Sequence, residues 1–328
     1  MSVKKDSTKI FPKNIMNLDL PIAEIKSVAS LWNAKLKSRI LGTNHEFYSV
    51  TIGNWSAILR LTPVHHRDLK SVEGEIKFLH YLQGKAPVVK VIKSLENKLS
   101  VQLQINGQQL IACVFEMIGG ISLCKDETRD AGLIQLWGET MGSLHKLSKQ
   151  YNTEGQHYRK LDGKTLLDLA EVLQIKELSV IELVKKKWAQ IQSWPLPKSE
   201  WGIIHGDLTM SNIHLLDNQL YVFDFDNCMR APYLYDIAIT FHITLLSLAN
   251  EKDYHKRAEY FIQNFIEGYK RQCSTTIDTD LLKLLMELYN LFFYFLLSQD
   301  NKHPYKEYVL NNMENGVLTG FDLQKLVD

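Results

Sequence analysis

Hydrophobic residues recur with two different periods along the chain, and the period changes near residue 118. Between residues 34 and 63, aliphatic and β-branched runs alternate with the turn sequences GTNHE and GNW, which predicts three antiparallel strands. Residues 68–83 have a helical period and predict one helix. The runs VVKVIKS, LSVQLQING and QQLIACVFEM predict further strands. A helix is also predicted ahead of the strands at residues 17–33, with cap-like Asn17 and Asp19 and with Pro21 in its first turn.

Beyond Gly119 and Gly120 the pattern is mainly helical. Two strand-like runs, NIHLL and LYVFDF, flank Asp217 and Asn218, a two-residue connection typical of hairpins. The pattern therefore predicts a β-rich unit at residues 1–118 and a larger helical unit at residues 119–328. Helices are predicted at residues 132–149, 163–171, 180–194, 235–249 and 280–298.

Charge and composition narrow the class of protein. The net charge of +1 over 328 residues argues against a nucleic-acid partner, which would require a basic surface. The polar start of the chain does not resemble a signal peptide, so we expect a cytoplasmic location. The apolar run at residues 281–297 contains Lys283 and Glu287, which favours a buried helix over a membrane span. We therefore expect no membrane partner.

The residues that carry chemistry lie between positions 201 and 239. His205-Gly206-Asp207 is followed after four residues by Asn212, and Asp224 ends the second strand of the predicted hairpin. A carboxylate and an amide oxygen are ligands that Mg²⁺ prefers, which suits Asp224 and Asn212. Asp207 is then available to orient an acceptor hydroxyl and take its proton. This pattern predicts magnesium-dependent transfer of a phosphoryl group.

The motifs HGDLxxxN, DFD and YLYDIA resemble those of the aminoglycoside phosphotransferase and choline kinase superfamily. The similarity is greatest to the bacterial branch with homoserine kinase type II and stress-response kinase A. The resemblance implies an α+β, protein-kinase-like fold of two lobes, with a small antiparallel sheet in the first lobe. It implies that Asp207 is the catalytic base and that Asn212 and Asp224 bind Mg²⁺. Asp236, with His205, would support the catalytic loop, and Asp226 would either assist at the metal or face solvent.

The nucleotide would be bound by the first lobe. Arg60 occupies the position of the strand lysine in protein kinases, and Glu75 is its predicted helix partner, with Glu73 near enough to compete. An arginine there can still bind phosphate oxygens. Phosphate is also expected at Gly42 and Thr43, and the base near Glu116 and Ile118, which sit where the family joins its lobes. ATP and GTP remain alternatives.

Three functions remain open at this level. The favoured one is a kinase for a small molecule such as an amino alcohol or an aminoglycoside. The residues from 119 onwards hold 22 Lys and Arg against 28 Asp and Glu, which would suit a cationic acceptor. The alternatives are a protein Ser/Thr kinase of the stress-response kinase A type and, less favoured, a catalytically silent nucleotide-binding module. The sequence leaves the oligomeric state open.

Overall fold

A computed structural model describes residues 18–42, 45–123, 125–175, 177–297, 303, 305–318 and 320–327. The helices within this part of the chain are α1 (Ile22–Ser30), α2 (Leu69–Leu82), α3 (Ala131–Gln150), α4 (Gly163–Val172), α5 (Leu178–Ser193), α6 (Tyr233–Leu248), α7 (Tyr254–Gln272), α8 (Thr279–Leu297), α9 (Lys306–Asn315) and α10 (Leu323–Val327). The strands are β1 (Ala34–Ile40), β2 (Glu46–Ile52), β3 (Trp55–Pro63), β4 (Val91–Ile92), β5 (Val101–Ile105), β6 (Gln108–Glu116), β7 (Ile121–Ser122), β8 (Arg159–Lys160), β9 (Trp201–Ile204), β10 (Ile213–Leu216), β11 (Gln219–Val222) and β12 (Met229–Pro232).

The first six strands form one antiparallel sheet in the order β1-β2-β3-β6-β4, with β5 also paired to β6. Successive side chains of a strand point to opposite faces, and β6 is buried on both. Val114 packs on one face in a cluster with Ile25 and Val28 of α1. Phe115 packs on the other face in a cluster with Val72 of α2. The sheet is therefore covered by one helix on each side.

The rest of the chain is mainly helical. α6 is apolar around its whole circumference and is buried along almost its entire length, as expected of a central helix. It packs against α8, and α3 packs along α7. Helix α5 also contacts α8, so it packs on this core.

Two three-stranded sheets position the loops of the site. One has the order β11-β10-β7 and the other the order β8-β12-β9. The β10–β11 hairpin turns at Asp217 and Asn218, with φ values of 50° and 58°. Two consecutive positive φ values are those of a type I′ turn, which explains the choice of Asp and Asn. β7 lies just after residue 118 and pairs with β10. The division of the chain at residue 118 stays a prediction.

The α+β fold class is confirmed, but several elements differ from the prediction. α1 begins at Ile22 with Pro21 as its N-cap residue, and Asn17 lies outside the described residues. The helical part contains strands β7, β8, β9 and β12 in addition to the two predicted there. Helix α7 was not predicted, although residues 258, 261, 262, 265 and 269 bury one face. Within the described residues, no helix is long and apolar enough to cross a membrane.

Candidate active site

Asp207 lies in the loop between β9 and β10, directly after a turn that requires glycine. Gly206 has a φ of 78°, and a Cβ atom there would lie 2.3 Å from the carbonyl oxygen of Asn227. A larger residue would therefore meet both backbone strain and a collision. The glycine of the HGD motif lets the loop pass close to the segment that follows β11.

A buried carboxylate at the start of α6 holds this loop. Asp236 Oδ2 accepts a hydrogen bond from the His205 backbone N–H at 2.9 Å, and Oδ1 accepts one from Gly206 at 2.8 Å. His145 Nε2 lies 3.1 Å from Oδ2. Burial would raise the pKa of Asp236, but the hydrogen bond and charge of His145, with the hydrogen bond from the His205 backbone, hold it below its usual value. This geometry is what the predicted supporting role of Asp236 requires.

His205 connects the same loop to the end of β11. Its Nδ1 accepts from the Asp207 backbone N–H at 3.2 Å, and its Nε2 lies 3.1 Å from the carbonyl oxygen of Phe223. Burial lowers the pKa of His205, which favours a neutral ring with Nε2 as the donor. The imidazole thus sets the distance between Asp207 and the strand that leads to Asp224.

Asn212 contacts Asp207 directly. Its Nδ2 donates to the backbone oxygen and to Oδ2 of Asp207, both at 2.9 Å. With the amide nitrogen turned to Asp207, the amide oxygen faces the other way. The Asn212 carbonyl oxygen also accepts from the backbone N–H of Phe223 at 3.1 Å, next to Asp224. The loop and the hairpin therefore bring Asp207, Asn212 and Asp224 together.

Asp224 has an unusual backbone conformation, with φ and ψ both 62°. The left-handed region is rare for a residue other than glycine and is typical of functional sites. The Asp224 side chain faces the open cleft. Desolvation by the surrounding protein, together with the charge of Asp226, raises its pKa to about 6. Burial, followed by the charge of Asp224, raises the pKa of Asp207 to about 8, although the hydrogen bond from Asn212 opposes this rise. The two carboxylates thus repel each other across a partly desolvated space.

Arg60 and Glu75 form a buried bidentate ion pair between β3 and α2. The Nη1–Oε1 distance is 2.8 Å and the Nη2–Oε2 distance is 3.0 Å, and both residues are almost fully buried. Burial would raise the pKa of Glu75, but the charges of Arg60 and Arg67 hold it below its usual value. Glu73 instead lies on the exposed face of α2, 3.8 Å from Lys77. Of the two candidate glutamates, Glu75 is therefore the one that meets Arg60.

A cavity of about 350 Å³ lies between the large sheet and the β10–β11 hairpin. Its walls include Arg60, Glu75 and Asp224 at one end and Glu116 and Ile118 at the other. The remaining lining is largely apolar and includes Ile40, Leu41, Phe47, Ile58, Leu79, Val89, Phe115, Met117, Phe223 and Phe225. An apolar slot that ends in an ion pair and a carboxylate suits a flat base with charged groups attached.

Of the two residues predicted to bind phosphate, the structure describes Gly42. Gly42 adjoins Leu41 at the cavity, and a Cβ atom on it would lie 2.5 Å from the Phe47 ring. Thr43 lies outside the described residues. His45, in the same connection between β1 and β2, is buried and points to Asp226, with its Nε2 3.0 Å from Oδ2.

The side chains of three residues converge on Asp226, and the sequence did not indicate them. They are His45, Arg67 and Arg159. Asp226 is buried, so the alternative in which it faces solvent is wrong. Burial would raise its pKa, but the hydrogen bond from His45 and the charges of His45 and Arg67 hold it well below its usual value. Arg67 stands 159 residues from Asp226, and no local sequence signal connects them.

Comparison with protein families identifies the class. Residues 38–271 match the model of the phosphotransferase enzyme family, and the chain belongs to that family. It is therefore an enzyme of the phosphotransferase class, as the sequence motifs predicted, and the predicted superfamily is confirmed. Its placement in the branch with homoserine kinase type II stays a prediction.

Individual relatives are kinases of small molecules by their names. The chain is 23% identical to amicoumacin kinase of Bacillus subtilis strain 168, over the full length of both proteins. Among solved structures it resembles an amicoumacin kinase in complex with AMP-PNP, Ca²⁺ and Ami, with a TM-score of 0.82, 20% identity, and coverage of 93% of this chain and 96% of that one. A microcompartment-associated aminopropanol kinase has a TM-score of 0.67 at 18% identity, covering 90% and 96%. These structures confirm the kinase-like two-lobed fold.

Proposed function

We propose that this protein transfers the terminal phosphoryl group of ATP, or of GTP, to a hydroxyl group of a small molecule. The observation that carries the proposal is the meeting of Asp207 and Asn212 with Asp224, which lines the same cavity as the Arg60–Glu75 pair. A phosphoryl donor and a base for the acceptor are then within one site, as the reaction requires.

The donor set fits a divalent cation of the hard, oxygen-binding kind. Asp224 offers a carboxylate and Asn212 offers the amide oxygen that faces away from Asp207. The raised pKa of Asp224 indicates that nearby positive charge does not offset the desolvation of its carboxylate. A bound metal ion would supply that positive charge. When bound, Mg²⁺ would neutralise and orient the phosphate oxygens. The relative bound to AMP-PNP and Ca²⁺ supports a nucleotide with a divalent metal.

The chain's own residues then have distinct tasks. Arg60, aligned by Glu75, would hold phosphate oxygens through its guanidinium group, and main-chain atoms near Glu116 and Ile118 would hold the base. Gly42 would line the phosphate side. Asp207 accepts the proton of the acceptor hydroxyl as the new O–P bond forms and the bond to the leaving nucleoside diphosphate breaks.

The acceptor we favour is an amino alcohol, an aminoglycoside or a similar molecule with both amine and hydroxyl groups. The named activities of the amicoumacin and aminopropanol kinases support this class. A protein acceptor is the alternative. Within α8, Phe293 and Phe295 are fully buried core residues, so these two rings are packing residues rather than contacts for a cationic acceptor.

Replacing Asp207 tests the reaction. We expect Asp207→Asn to bind the magnesium–nucleotide complex while losing turnover by roughly 10²–10⁴, because the amide cannot take the proton. Nucleotide consumption should be measured over a panel of aminoglycosides, amino alcohols, sugars and a generic protein substrate. As a control, Asp280→Asn changes the same groups on an exposed residue in the first turn of α8. Turnover that survives in Asp207→Asn would rule out its role as base.

A further inference from the structure

Asp226 joins parts of the site that lie far apart in the chain. Its Oδ1 is 2.6 Å from Arg67 Nη1, and its Oδ2 is 3.0 Å from His45 Nε2. Its backbone oxygen accepts a hydrogen bond from Arg159 of β8. His45 belongs to the connection between β1 and β2, and Arg67 follows β3. Asp226 therefore connects the segment after β11 to the loops of the large sheet on one side and to β8 on the other.

Arg67 extends this connection to the ion pair in the nucleotide cavity. The same Nη1 that contacts Asp226 lies 2.5 Å from Glu75 Oε2, and Nη2 donates to the backbone oxygen of Ser71 at 3.2 Å. Arg67 is 5% exposed. Arg60, Glu75, Arg67 and Asp226 thus form a continuous chain of charges, alternating in sign, from β3 through α2 to the residues after β11. We name these four residues the ionic chain.

The ionic chain ends two residues from Asp224. Between them, Phe225 packs against Phe78 of α2, with ring centres 6.3 Å apart, and against His205 at 4.5 Å. Asp224 itself has the left-handed backbone conformation described above, which persists only where its surroundings enforce it. The contacts of Phe225 and Asp226 thus hold the two residues that directly follow Asp224.

A metal ion at Asp226 is a less favourable interpretation of the same cluster. Ligand atoms of His45, His66 and Asp226 lie within 4.8 Å of one another, as a metal site would require. However, Arg67 already contacts the carboxylate and Arg159 contacts the backbone of the same residue. Two guanidinium groups beside the site would repel a further cation.

We propose that Arg67 is a positioning residue for phosphoryl transfer, which orients Asp224 by joining Glu75 to Asp226. The inference rests on the proposed function, because it concerns the metal-dependent part of nucleotide binding. Arg67 would contact neither the nucleotide nor the metal. Removal of the Arg67 side chain should leave the cavity in place and reduce the part of the ATP affinity that depends on the metal.

Calorimetric titration of ATP, with MgCl₂ or with EDTA, separates these effects. We expect Arg67→Gln to weaken ATP binding about tenfold in Mg²⁺ and by less than about twofold in EDTA. Asp226→Asn should behave alike, and the double variant should lose no more than either single one, because both changes break one connection. Arg67→Lys keeps the charge and should recover part of the loss. Arg271→Gln is the matched control, since Arg271 also joins two carboxylates, of Glu139 and Glu267, but on the exposed α3–α7 surface.

The outcomes distinguish the two proposals. If ATP binding by the unmodified protein does not depend on Mg²⁺, the proposed function fails and the inference fails with it. If it does depend on Mg²⁺ but Arg67→Gln matches the unmodified protein, only the inference fails. Equal losses in Mg²⁺ and EDTA, or a double variant near a hundredfold loss, would also overturn it. Should Arg67→Gln not fold, as judged by thermal melting, the Arg67→Lys and Asp226→Asn titrations decide by the same criteria.

Discussion

His242 is a buried histidine of α6 that stays neutral in the folded protein. Burial lowers its pKa to about 4, although the hydrogen bond with Asn290 opposes the decrease. Its Nε2 lies 2.9 Å from Asn290 Oδ1, and Asn290 in turn donates to the backbone oxygen of Val309 at 3.0 Å. His242, Asn290 and the Val309 backbone oxygen are thus joined by hydrogen bonds between neutral groups.

This histidine should make stability depend on pH in a defined window. Between pH 6.5 and pH 4 the unfolded chain binds a proton at His242 that the folded chain does not, so its contribution to stability is lost as the pH falls. The loss approaches about 3 kcal/mol at the lower limit. We expect the free energy of unfolding, measured by denaturant titration, to fall more steeply in the unmodified protein than in His242→Gln. Parallel curves over this range would contradict the assignment.

At the scale of elements, α3 and α7 approach each other unusually closely. A Cβ atom on Gly138 would lie 2.0 Å from the backbone oxygen of Phe265, and one on Gly268 would lie 2.0 Å from that of Gln135. Each helix therefore places a glycine against the backbone of the other. Trp137 and Phe265 pack beside this contact, with ring centres 5.9 Å apart.

A single methyl group should separate these helices. We expect Gly138→Ala to destabilise the protein by roughly 1–3 kcal/mol, because the backbones must move apart. Gly132→Ala in the first turn of the same helix is the control, since its Cβ would meet only Asp130 Oδ1, at 3.2 Å, and alanine favours a helix by about 1 kcal/mol. Thermal melting of both variants tests this. An unchanged melting temperature in Gly138→Ala would show that the helices can adjust.

At the scale of the whole molecule, the cavity is where the large sheet meets the helical part. Its walls come from the sheet and α2 on one side and from β10 and the residues after β11 on the other. A ligand bound there contacts both sides at once. Binding should therefore stabilise the assembled molecule rather than one sheet alone.

Thermal melting with nucleotide measures this linkage. At ATP concentrations near one hundred times Kd, bound nucleotide adds about 2.7 kcal/mol, which raises the melting temperature by several degrees. We expect Asp224→Ala to lose the part of this increase that requires Mg²⁺. The control Asp280→Ala, an exposed carboxylate of α8, should keep it. A full magnesium-dependent increase in Asp224→Ala would remove Asp224 from the metal site.

The sequence predicted the elements whose period is strong. The strands of the first sheet, α2, α3, α6 and α8 all lie near their predicted positions. The misses are elements with weak local signals, such as the two-residue strands β7 and β8, which exist only because a partner strand lies beside them. Helix α7 is a different case. Its buried residues 258, 261, 262, 265 and 269 recur at helical spacing, which is a signal that the sequence itself carries.

For the candidate site, spacing along the chain was sufficient to predict those residues that lie in one loop and one hairpin. Asp207, Asn212 and Asp224 are separated by short segments, and pairing of β10 with β11 returns the chain to the same place. Arg60 and Glu75 were predicted from the pattern of protein kinases, in which a strand lysine pairs with a glutamate of the next helix. Only the tertiary structure decided that Glu75, rather than Glu73, faces Arg60, since this depends on which face of α2 is buried.

The tertiary structure alone also decided the surroundings of Asp226. His45, Arg67 and Arg159 reach it from three separate elements, over distances in sequence that no periodic pattern spans. A buried charge needs partners wherever the fold can supply them, and these partners need not be local. The sequence by itself predicted the fold class and the residues that we propose for the chemistry. The fold determined how those residues are held, because charge pairing in a buried site depends on distance in space rather than on distance along the chain.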